Sequence, residues 1–294
     1  MRCPFLYPLI SKKYIMKIGK YKLKPVVTGN ISLDGGAMFG VVPKALWERS
    51  NPADDKNRIN LSTRLLLLQS DSKNILIDTG IGESWDEKFS KIYNVRNNNV
   101  HDELAKHSIT PGDITDVIIT HLHFDHTGGS VIIENERILP AYPNAKYHVQ
   151  EEQYKWALNA SEKDRASFIQ DRFVPLFDEG ILNLLKGEEQ LDDEISLIVV
   201  NGHTFSQQLV KVSDGNETLL YCGDLVPTAS HIPLPYIMSY DLQPMVTMEE
   251  KKKILPAAVE ENWKLFFEHD PEITAATVTK SMHGFGVGEI YKEI

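Results

Sequence analysis

The segment at positions 120–129 constrains the fold and chemistry of this chain more than any other, because three histidines and an aspartate fall within six positions. These residues are His121, His123, Asp125 and His126. The apolar, β-branched residues 117–120 precede them, so the cluster follows a predicted buried strand. Alternation along the chain turns His121 and His123 the same way, and Gly128 and Gly129 allow a tight turn afterwards. Only ten histidines occur in 294 residues, and imidazole with carboxylate suits zinc, iron, manganese or cobalt, so the segment predicts a metal site.

Short apolar runs bounded by turn residues predict strands along most of the chain. The clearest runs are 65–69, 75–77, 117–120, 146–149, 195–200, 209–212 and 219–222. Residues 214–216, Asp-Gly-Asn, predict a hairpin turn between the last two of these strands. Residues 71–74 predict a turn between the first two.

Helical patterns, with apolar positions three or four apart, are predicted at 151–158, 162–171 and 173–186. Near the end, Thr247 is predicted to cap a helix that runs from Met248 towards Trp263, and Pro256 is predicted to kink or split it. Many strands with a few helices favour an α/β sandwich of two mixed sheets. No strand is followed by GxGxxG, which argues against a dinucleotide-binding unit, but the pattern alone leaves the fold open.

The chain has no repeat and no Pro/Gly/Ser-rich linker, so residues 16–294 are predicted to form a single domain. Residues 1–15 are predicted to be an N-terminal extension, because Pro8 interrupts their apolar stretch and lysines follow where a secretion signal would be cleaved. No apolar run reaches the roughly 20 residues of a membrane span. The two cysteines, Cys3 and Cys222, imply no disulfide framework. We therefore expect a cytoplasmic protein without a membrane partner.

The formal net charge of -10 at pH 7 bears on the partner. Proteins that bind the phosphate backbone usually present a basic stripe, so this charge argues against a nucleic-acid partner. A small organic substrate fits the composition better.

The sequence His-Leu-His-Phe-Asp-His-Thr-Gly-Gly at 121–129 resembles the metal-binding signature of the metallo-β-lactamase superfamily. Further matches follow in the family's order, with His203 in Gly-His-Thr, Asp224 after a strand, and His269 in His-Asp-Pro. The resemblance implies an αββα sandwich of two mixed β-sheets flanked by helices, with two divalent metal ions, expected to be Zn²⁺. Its implied ligands are His121, His123 and His203 for one ion, Asp125, His126 and His269 for the other, and Asp224 for both. The earlier Asp78-Thr79-Gly80 would support these ligands from behind.

Residues 33–44, Leu-Asp-Gly-Gly-Ala-Met-Phe-Gly-Val-Val-Pro-Lys, are similar to quorum-quenching N-acyl-homoserine-lactone lactonases, and so are the segment 223–231 and the pair Tyr240-Asp241. This resemblance implies ring opening by a metal-bridging hydroxide, with Asp125 orienting the nucleophile or passing a proton to the leaving oxygen. Familiar lactonases of this type have a tyrosine shortly after the shared aspartate, whereas Leu-Val-Pro-Thr follows Asp224 here. Tyr236 or Tyr240 is expected to reach the site instead. Met38 and Phe39 are expected to contact the acyl chain.

The substrate class stays open on this evidence, because one fold supports many reactions. A small-molecule acyl lactone or another ester is expected. The alternatives are a hydrolase of other esters, thioesters or phosphotriesters, and a metal-binding sensor without turnover. β-Lactamase activity is disfavoured, because one major branch of those enzymes has a cysteine where Asp224 stands, and Cys222 lies two residues earlier. A homodimer is a further expectation from the resemblance.

Overall fold

The computed structural model describes residues 16–294, and the predicted N-terminal extension, residues 1–15, lies outside the described residues. The strands, in chain order, are β1 (Lys17–Ile18), β2 (Tyr21–Asp34), β3 (Arg58–Gln69), β4 (Asn74–Ile77), β5 (Arg96–Asn97), β6 (Asp116–Ile118), β7 (Val131–Glu134), β8 (Arg137–Pro140), β9 (Lys146–Gln150), β10 (Leu182–Leu185), β11 (Ile195–Val200), β12 (Gln207–Ser213), β13 (Thr218–Tyr221), β14 (Lys264–Phe266), β15 (Ala275–Ser281) and β16 (Gly284–Tyr291). The α-helices are α1 (Gly35–Phe39), α2 (Lys44–Trp47), α3 (Glu87–Tyr93), α4 (Val100–Ala105), α5 (Phe124–Thr127), α6 (Glu151–Leu158), α7 (Val174–Asp178) and α8 (Pro244–Glu260).

Two mixed sheets hold most of these strands. The first follows the order β1-β2-β3-β4-β6-β9-β10, with β5 paired to β2, and its strands from β4 to β10 are parallel. The second follows β11 to β16 in order and is antiparallel except between β13 and β14. Because parallel neighbours end at the same edge of a sheet, the loops after β4 and β6 emerge together, and so do those after β13 and β14. Strands β7 and β8 form a separate hairpin.

Alternation along β3 shows how the layers pack. Leu66 and Leu68 belong to the core between the two sheets, with residues of β11 to β14 opposite them. Leu65 and Leu67 turn to the other face, where α4, α6 and α7 cover the first sheet. The outer face of the second sheet packs on α8. Each buried leucine contributes roughly 1.5–3 kcal/mol, so the apolar faces of β3 fix its register. The predicted αββα sandwich is confirmed.

The predicted strands and turns are confirmed, whereas some of the predicted helices are wrong. Each predicted strand overlaps an observed one, and the turns at 71–74 and 214–216 connect antiparallel neighbours as predicted. The predicted helix at 151–158 is α6. The predicted helix at 162–171 is wrong, because buried Asp164 accepts hydrogen bonds from Ser161 Oγ at 2.7 Å and Trp156 Nε1 at 2.8 Å, and this segment folds into short 3₁₀ turns.

The predicted helix at 173–186 is also wrong beyond its first turns. Only Val174–Asp178 is α-helical, because Gly180 at a φ of 71° ends the turn and β10 then pairs with β9 in parallel. The last helix, α8, begins at Pro244 and runs unbroken through Pro256. Thr247 therefore lies inside α8 and does not cap it. Among residues 16–294, no helix combines the length and the apolar character that a membrane span requires.

Candidate metal centre

Loops from both sheets meet at one edge of the sandwich and bring the predicted ligands together. His121 and His123 follow β6, and His203 follows β11. Asp224 and His269 follow the parallel neighbours β13 and β14. The predicted ligands form two clusters, one of His121, His123, His203 and Asp224, and one of Asp125, His126 and His269, and within each the ligand atoms lie within 4.8 Å of one another. Asp78, His126 and Glu268 form a further group of this kind behind the second cluster.

The first cluster is built from three imidazole rings whose nitrogens converge. His123 Nδ1 lies 3.0 Å from His121 Nε2 and 3.1 Å from His203 Nε2. On the far side of its ring, His203 Nδ1 is 2.9 Å from the carboxylate of Asp241. Thr247 Oγ1 donates to the other oxygen of Asp241 at 2.7 Å, so the carboxylate that orients His203 is itself fixed.

The second cluster is held in a similar way. His269 Nε2 lies 3.2 Å from His126 Nε2 and 3.8 Å from Asp125 Oδ2. Its Nδ1 donates to the backbone carbonyl of Ser62 at 2.9 Å. His126 Nδ1 lies 3.0 Å from the carboxylate of Asp78, as expected for the Asp-Thr-Gly element. These outer hydrogen bonds leave the Nε2 atoms of both histidines free to bind a metal ion.

Asp224 lies between the clusters and presents one oxygen to each. Its Oδ2 is 3.1 Å from His203 Nε2 in the first cluster. Its Oδ1 is 3.2 Å from His269 Nε2 and 3.6 Å from His126 Nε2 in the second. A carboxylate in this position can bind two ions at once.

Two metal ions, forming one dinuclear centre, fit this donor set. The outer nitrogens of His126, His203 and His269 are engaged with hydrogen-bond acceptors, so in the neutral rings the unprotonated nitrogens face the centre of each cluster. Converging lone pairs in a buried site require a cation between them. The buried Oδ1 of Asp224 also has no hydrogen-bond partner among the described residues.

The electrostatics agree with this fit. Burial and the neighbouring imidazoles hold the pKa of His121 and His123 well below the usual range, so both rings are neutral. Burial by itself would raise the pKa of Asp224, but the facing His203 and His126 hold it well below its usual value. Burial by itself would lower the pKa of His126, His203 and His269, but the buried carboxylates that face them raise it. A bound cation would take the place of the protons on these rings and leave neutral imidazole and ionised carboxylate, the states that bind metal.

Comparisons with known proteins agree with this geometry. Residues 61–269, more than half of the chain, match the sequence profile of the Metallo-beta-lactamase superfamily. The chain belongs to this superfamily. The crystal structure of a probable metal-dependent hydrolase from Staphylococcus aureus is similar, with a TM-score of 0.86 and 28% identity over 95% of this chain and 99% of that chain. This metallo-beta-lactamase superfamily member is a metal-dependent hydrolase.

Lactonases are among the similar proteins of the superfamily. The curated N-acyl homoserine lactonase AiiA of Bacillus thuringiensis subsp. kurstaki is 22% identical over 229 residues, which cover 73% of this chain and 83% of that protein. The dizinc quorum-quenching lactonase AidC has a TM-score of 0.78 and 22% identity over 93% of this chain and 95% of that chain. At 22% identity, the structural similarity to AidC shows that the two proteins share a fold.

A cavity of about 380 Å³ opens on the metal-binding clusters of this superfamily member. Of the residues expected to contact substrate, Met38 and Tyr240 line it. Phe39 and Tyr236 are not among its lining residues. Phe39 is fully buried and stacks between Trp47 and the His231 ring, and the ring of Tyr236 meets its edge at 6.0 Å. These two aromatic residues therefore support the wall from behind.

Three residues of this site have no role predicted from the sequence. Tyr93, at the end of α3, lines the cavity and packs on Phe124 with ring centroids 4.9 Å apart. Lys163 also lines the cavity, and its Nζ donates to the carbonyls of residues 239, 240 and 241 at 3.0–3.1 Å. Asp241, which orients His203, belongs to the Tyr240-Asp241 pair that resembles the lactonases, but the sequence gives it no predicted role. Cys222 lies in the apolar core beneath the second sheet, and burial raises the pKa of its thiol.

Proposed function

We propose that this metal-dependent hydrolase opens the lactone ring of N-acyl homoserine lactones with two divalent metal ions, Zn²⁺. The proposed ligands are those of the two clusters, with Asp224 shared: His121, His123, Asp125, His126, His203, Asp224 and His269. The observation that carries this proposal is a largely apolar cavity that opens directly onto both clusters.

When bound, the two ions would activate a water molecule near neutral pH and polarise the carbonyl of the substrate. Asp125 lines the cavity and lies 3.8 Å from His269 Nε2, so its carboxylate faces the substrate as well as the second cluster. We assign it the roles of ligand and of general acid–base, orienting the nucleophile and passing a proton to the leaving oxygen.

The wall of the cavity suits an acyl chain. Its apolar side chains are Leu33, Met38, Leu61, Phe124 and Met238. An aliphatic chain buried against them gains roughly 0.8 kcal/mol for each methylene removed from water. The lactonase AiiA, with which this chain shares 22% identity, supports an acyl lactone as the substrate.

A hydroxyl group for the carbonyl or the leaving oxygen is available in the cavity. Tyr240 lines it from the loop after Asp224, and Tyr93 lines it from α3. Within residues 16–294 neither hydroxyl has a hydrogen-bond partner. Burial raises the pKa of both tyrosines, and the Asp125 charge raises them further, so both hydroxyls keep the proton that a donor needs.

The test is hydrolysis of hexanoyl and dodecanoyl homoserine lactones by zinc-loaded protein, followed by pH-stat, because each opened ring releases one acid. His121→Ala removes a proposed ligand, and His283→Ala changes an exposed histidine as the control. We expect acid release by the wild type and by His283→Ala, with loss in His121→Ala. If no lactone releases acid, the lactonase proposal is wrong. Turnover of an aryl ester or a phosphotriester would then identify another hydrolase, and full zinc loading without turnover would identify a sensor.

The remaining expectations extend this proposal. A cytoplasmic location, the lack of a nucleic-acid partner and a homodimer are predictions from composition and resemblance. A lactone or ester small enough for the cavity is the partner that the site supports.

A further inference from the structure

The side chain of Glu268 lies behind the metal centre and has no part in the chemistry above. The sequence predicts a metal-ligand role for the next residue, His269, but none for Glu268. The residue is fully buried. Its Oε2 accepts a hydrogen bond from the Tyr221 hydroxyl at 2.6 Å and lies 3.0 Å from His126 Nδ1. Glu268 therefore touches the ring of a proposed ligand on the face opposite the metal centre.

Two carboxylates approach the same nitrogen of His126. Asp78 Oδ2 also lies 3.0 Å from His126 Nδ1. Asp78 is well satisfied without Glu268, because its oxygens accept from the amide and hydroxyl of Thr120 at 2.6 and 2.7 Å. A single N–H can satisfy one acceptor fully, so the second carboxylate adds negative charge more than it adds a hydrogen bond.

The charge of Glu268 has few other partners. Among residues 16–294, His126 is the partner in its one ion pair, and its Oε1 has no hydrogen-bond partner. Arg64 lies nearby, but its Nη1 donates to the backbone carbonyls of Phe267 and Asp270 at 2.8 and 2.7 Å. A buried carboxylate is costly unless positive charge balances it. A cation bound at His126 Nε2, which faces the second cluster, would supply such a positive charge across the ring.

We propose that Glu268 is a positioning residue for the second metal ion. It fixes the His126 ring together with Asp78, and its charge stabilises a cation bound at His126 Nε2. This inference rests on the dinuclear centre of the proposed function and not on the substrate. It applies to the ion held by Asp125, His126 and His269, and leaves the first ion unaffected.

The test is a titration of metal-free protein with zinc against a chelating dye, which gives the affinities for the first and second ion separately. Removing an outer partner of a metal-bound histidine typically weakens metal binding about 10–100-fold. We expect Glu268→Gln to weaken binding of the second ion by that factor and to change the affinity for the first ion by less than about twofold. Glu268→Asp, which keeps the charge but shortens the side chain, is expected to fall between the wild type and Glu268→Gln, and it serves as the variant if Glu268→Gln does not fold.

Tyr221→Phe is the matched control, because it removes the other partner of Glu268 and leaves the carboxylate. We expect it to weaken binding of the second ion by less than about fivefold, which corresponds to the loss of one hydrogen bond. The inference is overturned if the second affinity of Glu268→Gln is unchanged, if both affinities fall together, or if Tyr221→Phe has the same effect as Glu268→Gln.

The titration contains no lactone, so its failure is distinct from failure of the substrate proposal. A wild type that binds two ions but opens no lactone leaves the role of Glu268 in place. A wild type that binds fewer than two ions overturns this inference and the dinuclear centre together.

Discussion

In the floor of the cavity, most histidine side chains have outer partners that orient them, whereas the wall is built largely from apolar side chains and unpaired hydroxyls. The floor is the proposed metal centre, in which His123, Asp125, His203, Asp224 and His269 line the cavity and the fully buried His121 and His126 complete the two clusters. The wall consists mainly of Leu33, Met38, Leu61, Tyr93, Phe124, Met238 and Tyr240, and the polar side chains of Lys163, Asp164 and Ser167 also line it. In the floor, Asp241 holds His203 and the carbonyl of Ser62 holds His269, each at 2.9 Å. In the wall, the hydroxyls of Tyr93 and Tyr240 have no partner within residues 16–294.

The difference follows from what each part must do. Metal ligands need a fixed geometry, and their outer hydrogen bonds provide it. A surface that receives an apolar chain needs shape and dryness, which side chains such as Met38 and Met238 supply without hydrogen bonds. Substitutions in the floor should therefore weaken the hydrolysis of every substrate alike. Substitutions in the wall should have effects that depend on the substrate.

Asp224→Ala should have the largest effect, because it removes the carboxylate that faces both clusters. The two ions together supply several kcal/mol of transition-state stabilisation, which corresponds to about a 10³-fold loss in kcat/KM. Zinc content by atomic absorption and hydrolysis of a short and a long acyl lactone would measure it. An equal loss on both substrates is expected, and retention of two tightly bound ions would contradict the shared role.

Asp241→Asn should have the next largest effect, because it removes the charge that holds His203 Nδ1. We expect the affinity for the first ion to fall about 10–100-fold. Asp116→Asn is the matched control, since Asp116 pairs with His148 Nε2 at 3.0 Å and that histidine is in neither cluster. Zinc titration of both variants would separate a local role from a general loss of stability, and equal weakening by the two would argue against the local role.

Tyr240→Phe removes a hydroxyl group that lines the cavity. If the hydroxyl of Tyr240 contacts the carbonyl or leaving oxygen, its loss should lower kcat about tenfold with little change in KM. Tyr236→Phe should leave both constants unchanged, because Tyr236 lies behind the wall. Steady-state kinetics on one lactone is sufficient. An unchanged kcat in Tyr240→Phe would shift this role to Tyr93.

Met38→Ala should have the smallest effect and the strongest dependence on substrate. The variant shortens an apolar side chain of the wall and so enlarges the cavity. The ratio of kcat/KM for dodecanoyl over hexanoyl lactone should therefore change by up to about tenfold, the usual value of small changes in an apolar pocket. Met245→Ala alters an exposed methionine and should leave the ratio unchanged. The same ratio in Met38→Ala and the wild type would show that the acyl chain lies elsewhere.

The sequence predicts the floor far better than the wall. The residues at 121–126 are adjacent in the chain, so their pattern is visible directly. His203, Asp224 and His269 stand alone, and only the order of motifs in the family connects them. The structure brings Asp224 and His269 together because β13 and β14 run parallel and end at the same edge, and the loop after β11 brings His203 to them. The sequence predicts no role for Glu268 or Asp241, because the effect of each depends on the histidine ring that it touches in the folded chain.

The wall comes from loops and short helices whose positions depend on tertiary contacts. Tyr93 reaches the cavity because its ring packs on Phe124, which no local pattern indicates. Helical periodicity at 162–171 was misleading, since the hydrogen bonds of Asp164 favour short turns that bring Lys163 and Ser167 to the cavity. Phe39 has the apolar character of a wall residue, but stacking on Trp47 and His231 buries it one layer deeper.

The most direct test of the metal centre is anomalous X-ray diffraction at the zinc edge from crystals of the zinc-loaded protein. Two peaks are expected in the floor of the cavity, one on each side of the Asp224 carboxylate. The first should lie among His121 Nε2, His123 Nδ1 and His203 Nε2, and the second among Asp125, His126 Nε2 and His269 Nε2. A single peak, or peaks away from these atoms, would contradict the dinuclear centre on which the proposed function depends.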